Sequence, residues 1–337
     1  MSTESTTTRR EFLFEAAASS LAVGALARDV LATQQPAGPS GLPTRVLGRT
    51  GERVSILCLG GWHIGSVKDT AEAIRIMHAA VDEGLTFFDN CWDYHDGGAE
   101  EIMGRALGDG RRDKVFLMTK NCERDHAGSM KCLDDSLRRL RTDRIDLWQF
   151  HEIIYDNDPD WVFEKGGLRA AMEARKAGKV RYIGFTGHKD PRIHLSMLAK
   201  PFDWDTCQFP VNVLDLHYRS FQQQVLPVCL KNKVGAIGMK GFGGGSGIAR
   251  GAGLTPAEAY RFALSQPIAS QVVGMTTLAH LQENVALARG FKPASEAEQA
   301  ALAERVKPFA TDGRFEQFKS TQSFDGPVHR RQHGFGA

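Results

Sequence analysis

Eight short runs of apolar and β-branched residues recur along the chain, at 55–59, 86–89, 115–119, 145–151, 181–186, 206–209, 236–240 and 271–274. Each is followed by a segment whose apolar residues return at helical spacing, such as 70–81, 130–140 and 257–264. In the first of these, Ala73, Ile74, Met77 and Val81 mark the buried stripe. The strand runs are continuous rather than alternating, as expected of parallel strands covered on both faces. Eight strand–helix units in succession predict an α/β fold, a closed (β/α)8 TIM barrel. A hairpin, "TRVLGRTGERVS", precedes the first unit, with Arg49-Thr50-Gly51 as its turn, and is expected to cap the barrel's bottom. A doubly wound open sheet usually announces itself by G-x-G-x-x-G after its first strand. Here that place holds "LGGWHIG", which lacks the spacing.

The N-terminus reads differently. Residues 8–13, "TRREFL", carry two adjacent arginines, Arg9 and Arg10, ahead of an Ala-rich apolar run. Ala25-x-Ala27 fits a cleavage site, and Val30-Leu31-Ala32 offers a second. The segment resembles a twin-arginine export signal of bacteria. It implies an engagement with the export machinery and a periplasmic destination, or a cytoplasmic one if the leader does not function. The expected organisation is therefore a signal peptide over 1–32, a Gln-, Pro- and Gly-rich linker over 33–43, a barrel over 44–309 and a tail over 310–337.

Composition adds limits. The 337 residues are 42% hydrophobic and 24% charged, with a net charge of +2, so a globular chain is expected and nucleic acid is not an expected partner. No stretch of the mature chain is long and apolar enough to predict an integral membrane span. Six cysteines are scattered without a C-x-x-C pair, which reads as buried small hydrophobes rather than a disulfide framework.

Chemistry in such a barrel gathers at the C-terminal ends of the strands. The second strand ends "DNCWDY", the third "FLMTK" and the fourth "DLWQFH". These place Asp89, Tyr94, Lys120 and His151 at one mouth. The set resembles the aldo-keto reductase superfamily, whose catalytic tetrad is Asp, Tyr, Lys and His at these strand ends, and the likeness runs from Thr44 to about Arg289. It implies an NAD(P)H-dependent oxidoreductase that reduces the carbonyl of a small aldehyde or ketone. Tyr94 would give the proton. Lys120 would lower the phenol's pKa, Asp89 would orient Lys120, and His151 would orient the carbonyl.

The same resemblance implies a cofactor site. Thr186, in "YIGFTGH", and Gln208 stand where the family holds the nicotinamide carboxamide, although Gly187 replaces the family's usual amide. Gly61 and Trp62 follow the first strand. Met239, Lys240, Gly241, Phe242 and Gly243 begin the glycine-rich "MKGFGGGSG", suited to close approach by a phosphate. Met275, His280, Glu283 and Asn284 lie in the family's adenosine segment. There Gly274 and His280 stand where a Lys and an Arg often grip the 2'-phosphate of NADP. Either NADP or NAD is therefore expected, with the choice open.

Trp62, His63, Trp92, Trp161 and Phe163 are the expected walls of the substrate pocket, with the tail ending "HRRQHGFGA" folding over the mouth. The histidines and cysteines show no H-x-H and no Cys/His cluster with zinc-finger spacing, so no metal is expected. A regulatory or sensor subunit that binds the cofactor without steady turnover is the alternative on the same barrel. An exported chain would have no obvious source of fresh reduced cofactor, and that keeps the alternative open.

Overall fold

The computed structural model describes residue 26 and residues 28–37, 40–243 and 251–336. The Arg9-Arg10 motif, the Ala25-x-Ala27 cleavage site, residues 244–250 of the glycine-rich run and Ala337 lie outside the described residues.

Eight strands close into a parallel barrel. They are β4 (Leu57–Gly60), β5 (Phe87–Asp89), β6 (Phe116–Asn121), β7 (Ile145–Phe150), β8 (Val180–Thr186), β9 (Thr206–Pro210), β10 (Gly235–Met239) and β11 (Ser270–Val273). β11 pairs with β4 through Gln271↔Leu57, which closes the ring. Every residue of β6 and β7 is buried, the reason their sequences show no polar alternation. The register sets Gly60 beside Asp89, Asp89 beside Met118, and Lys120 beside Gln149. The functional side chains thus rise from one rim.

Helices cover the outside. In the helix Thr70–Asp82, Asp69 caps the N-terminus by accepting from the Ala71 amide, and Ala73, Ile76, Met77, Ala80 and Val81 face inward. Ile74, part of the expected stripe, is only partly buried. The helix Pro256–Ser265 begins on a capping box between Thr255 and Glu258, with proline in its first turn.

The hairpin plugs the barrel floor. β2 (Leu42–Val46) and β3 (Arg53–Ser55) pair antiparallel, and Leu47 and Val54 pack among the interior side chains Cys58, Phe87, Met118, Leu147 and Ile237. Gly48 has φ +53, and a Cβ there would lie 2.3 Å from the Gly235 amide nitrogen, so the turn can seat against β10 only as glycine.

The expected linker is partly structured. Gln35–Ala37 forms β1, which pairs antiparallel with β2 to make a three-stranded sheet. Residues 28–32 are helical, and Leu26 and Val30 pack against a core cluster of the barrel. Among the described residues no helix is long and apolar enough to cross a membrane.

Candidate active site

Each member of the expected tetrad is carried by a strand end. Asp89 closes β5, Lys120 sits in β6, His151 follows β7, and Tyr94 opens a short turn beyond β5. That turn is strained. His95 and Asp96 both take left-handed backbone, with φ of 53° and 55°, and His95 anchors it through a 2.7 Å bond to the Trp62 carbonyl and a stack on the Trp62 ring. Trp62 in turn meets Tyr94 edge-on at 5.4 Å.

Lys120 is fully buried and donates to Asp89, to the Asn90 carbonyl at 2.7 Å and to the Tyr94 hydroxyl at 3.3 Å. Burial is the largest influence and works against its charge, but Asp89, Cys91 and Asp93 together outweigh it and hold the ammonium above its ordinary range. Tyr94 departs from the sequence expectation. Burial first, then the nearby Asp89, Cys91, Asp93 and Glu152, push its phenol well above the usual value. Lys120 is turned mainly to Asp89, so its attraction does not bring the phenol down. Tyr94 accordingly keeps its proton at neutral pH.

His151 makes its polar contacts through Nδ1, to Cys91 at 3.1 Å, Cys122 at 3.5 Å and His329 at 3.4 Å. Burial opposes charge on the ring, while Cys91 and Asp93 favour it and hold its pKa up to about 10. Nε2 is left for a ligand in the cavity.

The tetrad lines a cavity of about 1090 Å³ at the barrel mouth. Trp62, His63, Trp92, Thr186, Gln208, Met239, Lys240, Gly241 and Phe242 line it too. The tail contributes Ser323 to Val328, with Arg330 and Arg331. It is tied down by Asp325, which meets Lys189 at 2.6 Å and the Tyr155 hydroxyl at 2.9 Å, and by Gly326, whose amide donates to Glu152 at 2.7 Å. Burial raises the Glu152 carboxyl to about 7.

Other expected residues lie elsewhere. Trp161 is not a pocket wall; it stacks on His333 at 4.5 Å beneath the tail. Phe163 packs towards Trp204 in the core rather than into the mouth. Gly61 starts the short helix after β4, and a Cβ there would lie 2.4 Å from the Asp89 carbonyl. Gly243 is buried beside the loop after β10. Met275 is buried in the core. His280 and Glu283 are exposed on the helix Leu278–Arg289, and Asn284 donates to the His280 carbonyl at 2.6 Å. A Cβ on Gly274 would stand 2.4 Å from the His63 ring. No longer side chain fits there while His63 holds its place.

Sequence reading missed Asp93, Glu152, Asp325 and His329. Their neighbours come from distant segments, and no local spacing marks them.

The sequence profile described as "Aldo/keto reductase family" matches residues 56–247. The chain belongs to the aldo/keto reductase family. Among its relatives, an uncharacterised oxidoreductase of Bacillus subtilis, YrpG, is 40% identical over 159 residues, covering 41% of this chain and 47% of that protein. The aldo-keto reductase YhdN of Bacillus subtilis is 32% identical over 200 residues, covering 55% of this chain and 57% of that one. The chain thus spans about half the length of these curated relatives. A solved aldo-keto reductase from Bacillus halodurans, in its holo form, superposes with a TM-score of 0.66 at 22% identity, over 78% of this chain and 95% of its own. That likeness is one of fold, and it agrees with the closed barrel.

The family implies a nicotinamide cofactor, and the cavity can be tested for it. Gln208 is buried in the wall beside Thr186, and its Oε1 has no hydrogen-bond partner. An orphaned amide oxygen in a polar recess accepts from a carboxamide N–H. The residues present fit the group.

Proposed function

We propose that this chain reduces the carbonyl of a small aldehyde or ketone, with NADPH or NADH as the reductant and Tyr94 as general acid. The observation that carries this reading is the buried Asp89–Lys120–Tyr94 chain of contacts on the floor of a large mouth cavity. The cofactor supplies a hydride to the carbonyl carbon when bound. Thr186 and Gln208 would hold its carboxamide, Met239 would pack on its ring, and the backbone at Lys240–Gly243 would receive its phosphates. Glu283 and Asn284 would serve the adenine end, and His280 would stand in for the family's arginine.

The protein's own part is proton management. As charge grows on the carbonyl oxygen, the Tyr94 hydroxyl gives it the proton that burial has kept in place. The phenolate that forms is stabilised by Lys120, whose charge Asp89 fixes. His151 donates from Nε2 to the same oxygen and sets its angle. Trp62, His63 and Trp92 give the substrate an aromatic wall.

The leader supports export of this enzyme by the twin-arginine route, which carries folded proteins, so the cofactor would be loaded before crossing. Periplasmic location is part of the proposal. The test is loss of reduced-nicotinamide absorbance when the purified chain is mixed with an aromatic aldehyde and either cofactor. Turnover abolished by Tyr94→Phe supports the reading. Retention of bound cofactor with no turnover on any carbonyl tried would favour the non-catalytic alternative.

A further inference from the structure

We propose that Cys91, Asp93, Cys122 and His151 form a binding site for one zinc-class divalent cation, set directly behind the catalytic histidine. The four donors come from the ends of three neighbouring strands, β5, β6 and β7, and their ligand atoms all lie within 4.8 Å of one another.

The pairwise distances describe a shared centre. Cys91 Sγ and Cys122 Sγ are 3.7 Å apart. His151 Nδ1 is 3.1 Å from Cys91 Sγ, 3.5 Å from Cys122 Sγ and 3.5 Å from Asp93 Oδ1. Zinc bonds of about 2.3 Å to sulfur and about 2.0–2.1 Å to nitrogen or oxygen give tetrahedral edges of roughly 3.3–3.8 Å; three of these distances fall in that range, and the shorter Cys91–His151 approach would open by a few tenths of an ångström on binding. Both sulfurs approach the same ring nitrogen, as ligands of one ion do.

A second observation is independent of the spacing. Asp93 Oδ1 is buried and has no hydrogen-bond partner. Without a metal the charged His151 ring, 3.5 Å away, faces this oxygen without a hydrogen bond, and a divalent ion would take over that role at bonding distance. The set of two sulfurs, one nitrogen and one oxygen suits zinc, whose softness accepts thiolate and whose filled d shell accepts a tetrahedron. Cys91 and Cys122 are fully buried, so four protein donors would complete a closed site. Binding would release the two thiol protons, and any proton on Nδ1, to solvent.

The ion would also define the histidine. With Nδ1 bound, the remaining proton of His151 is on Nε2, the nitrogen left for a cavity ligand. His329 Nε2, 3.4 Å from His151 Nδ1, places the tail against the same cluster. Metal binding can be read without turnover, so its failure and that of the reductase reading are separate results.

The test uses the full chain, purified under reducing conditions, loaded with zinc chloride and passed over a chelating resin. Stoichiometric retained zinc is expected by plasma mass spectrometry, lost in Cys91→Ala/Cys122→Ala and kept in Cys207→Ala/Cys229→Ala. X-ray absorption at the zinc edge of the unmutated chain keeps the question decidable if the double variant does not fold. It should show sulfur at about 2.3 Å together with nitrogen or oxygen at about 2.0–2.1 Å. The proposal is overturned by a folded wild-type chain that retains no zinc, by a zinc shell without sulfur, or by uptake that survives loss of both cysteines. A Cys91–Cys122 disulfide whose reduction restores no zinc binding overturns it as well.

Discussion

The Lys120 ammonium lies 3.3 Å from the Tyr94 hydroxyl and 4.7 Å from the centre of the Tyr94 ring, while Asp89 takes its closest contact. One cation thus faces both the phenol oxygen and the π-face. Its position favours a phenolate as soon as one forms, without stripping the proton beforehand. Tyr94→Phe removes the oxygen and little else. We expect carbonyl reduction to fall by about 10²- to 10⁴-fold, while cofactor affinity stays within about twofold. Stopped-flow turnover and cofactor fluorescence titration measure the two separately. A variant that kept most of its turnover would take the acid role away from Tyr94.

Lys240 gives a pH prediction. Its ammonium faces the rings of Phe318 and Phe324 in the tail, at 5.0 and 5.4 Å. Burial, aided by Lys120 and Lys189 against the pull of Glu152 and Asp325, lowers its pKa to about 8. In the unfolded chain a lysine holds its proton to about pH 10.4. Between these values the unfolded state binds the extra proton. Stability should therefore rise with pH across that window, by about 3 kcal/mol at most. Lys240→Met should lack this rise. Urea unfolding from neutral to alkaline pH, run on both proteins, decides the point; parallel curves would show that Lys240 titrates normally.

The sequence carried the barrel because its strands are buried on both faces, and continuous apolar runs leave little room for another reading. The expected run at 86–89 and the observed Phe87–Asp89 differ by a single residue. The tetrad was legible for the same reason, since strand ends fix where side chains emerge. Trp161 and Phe163 were not, because the helix that carries them, Asp158–Glu164, has only about two turns, too few to show a period in the sequence. β1 was hidden by Pro36, yet it lies at the edge of its small sheet, where a missing amide donor is tolerated. The cluster around His151 was hidden too, since Cys91, Cys122 and His151 meet only when three strands close side by side.

The tail's anchor should be sensitive to a single change. Lys319 is fully buried and donates to Asp215 at 2.7 Å, to the Tyr218 carbonyl at 2.8 Å and to Glu316 at 2.9 Å. Lys319→Met would leave two buried carboxylates facing each other without a cation. Burial already raises Glu316 to about 7, so proton uptake there relieves part of the penalty. We expect a loss of about 3–5 kcal/mol, measured by urea unfolding, and faster cleavage of the tail by a protease. A variant as stable as the parent would mean the tail is held by its other contacts alone.

The leader gives the last prediction. The ordered sheet begins at Gln35, well beyond Arg9 and Arg10, so changing those arginines should leave the barrel untouched. Arg9→Lys combined with Arg10→Lys keeps the charge and removes the guanidinium pair by which a twin-arginine signal is known. The doubly substituted chain should fold and turn over as the parent does but remain in the cytoplasm, as measured by cell fractionation and by activity in each fraction. General secretory signals require only positive charge ahead of an apolar run. Were the double-lysine chain still found outside the cytoplasm, the leader would be of that general kind. The chain would then cross unfolded, with no assembled strand ends to hold a dinucleotide, and loading of the cofactor before export would be ruled out.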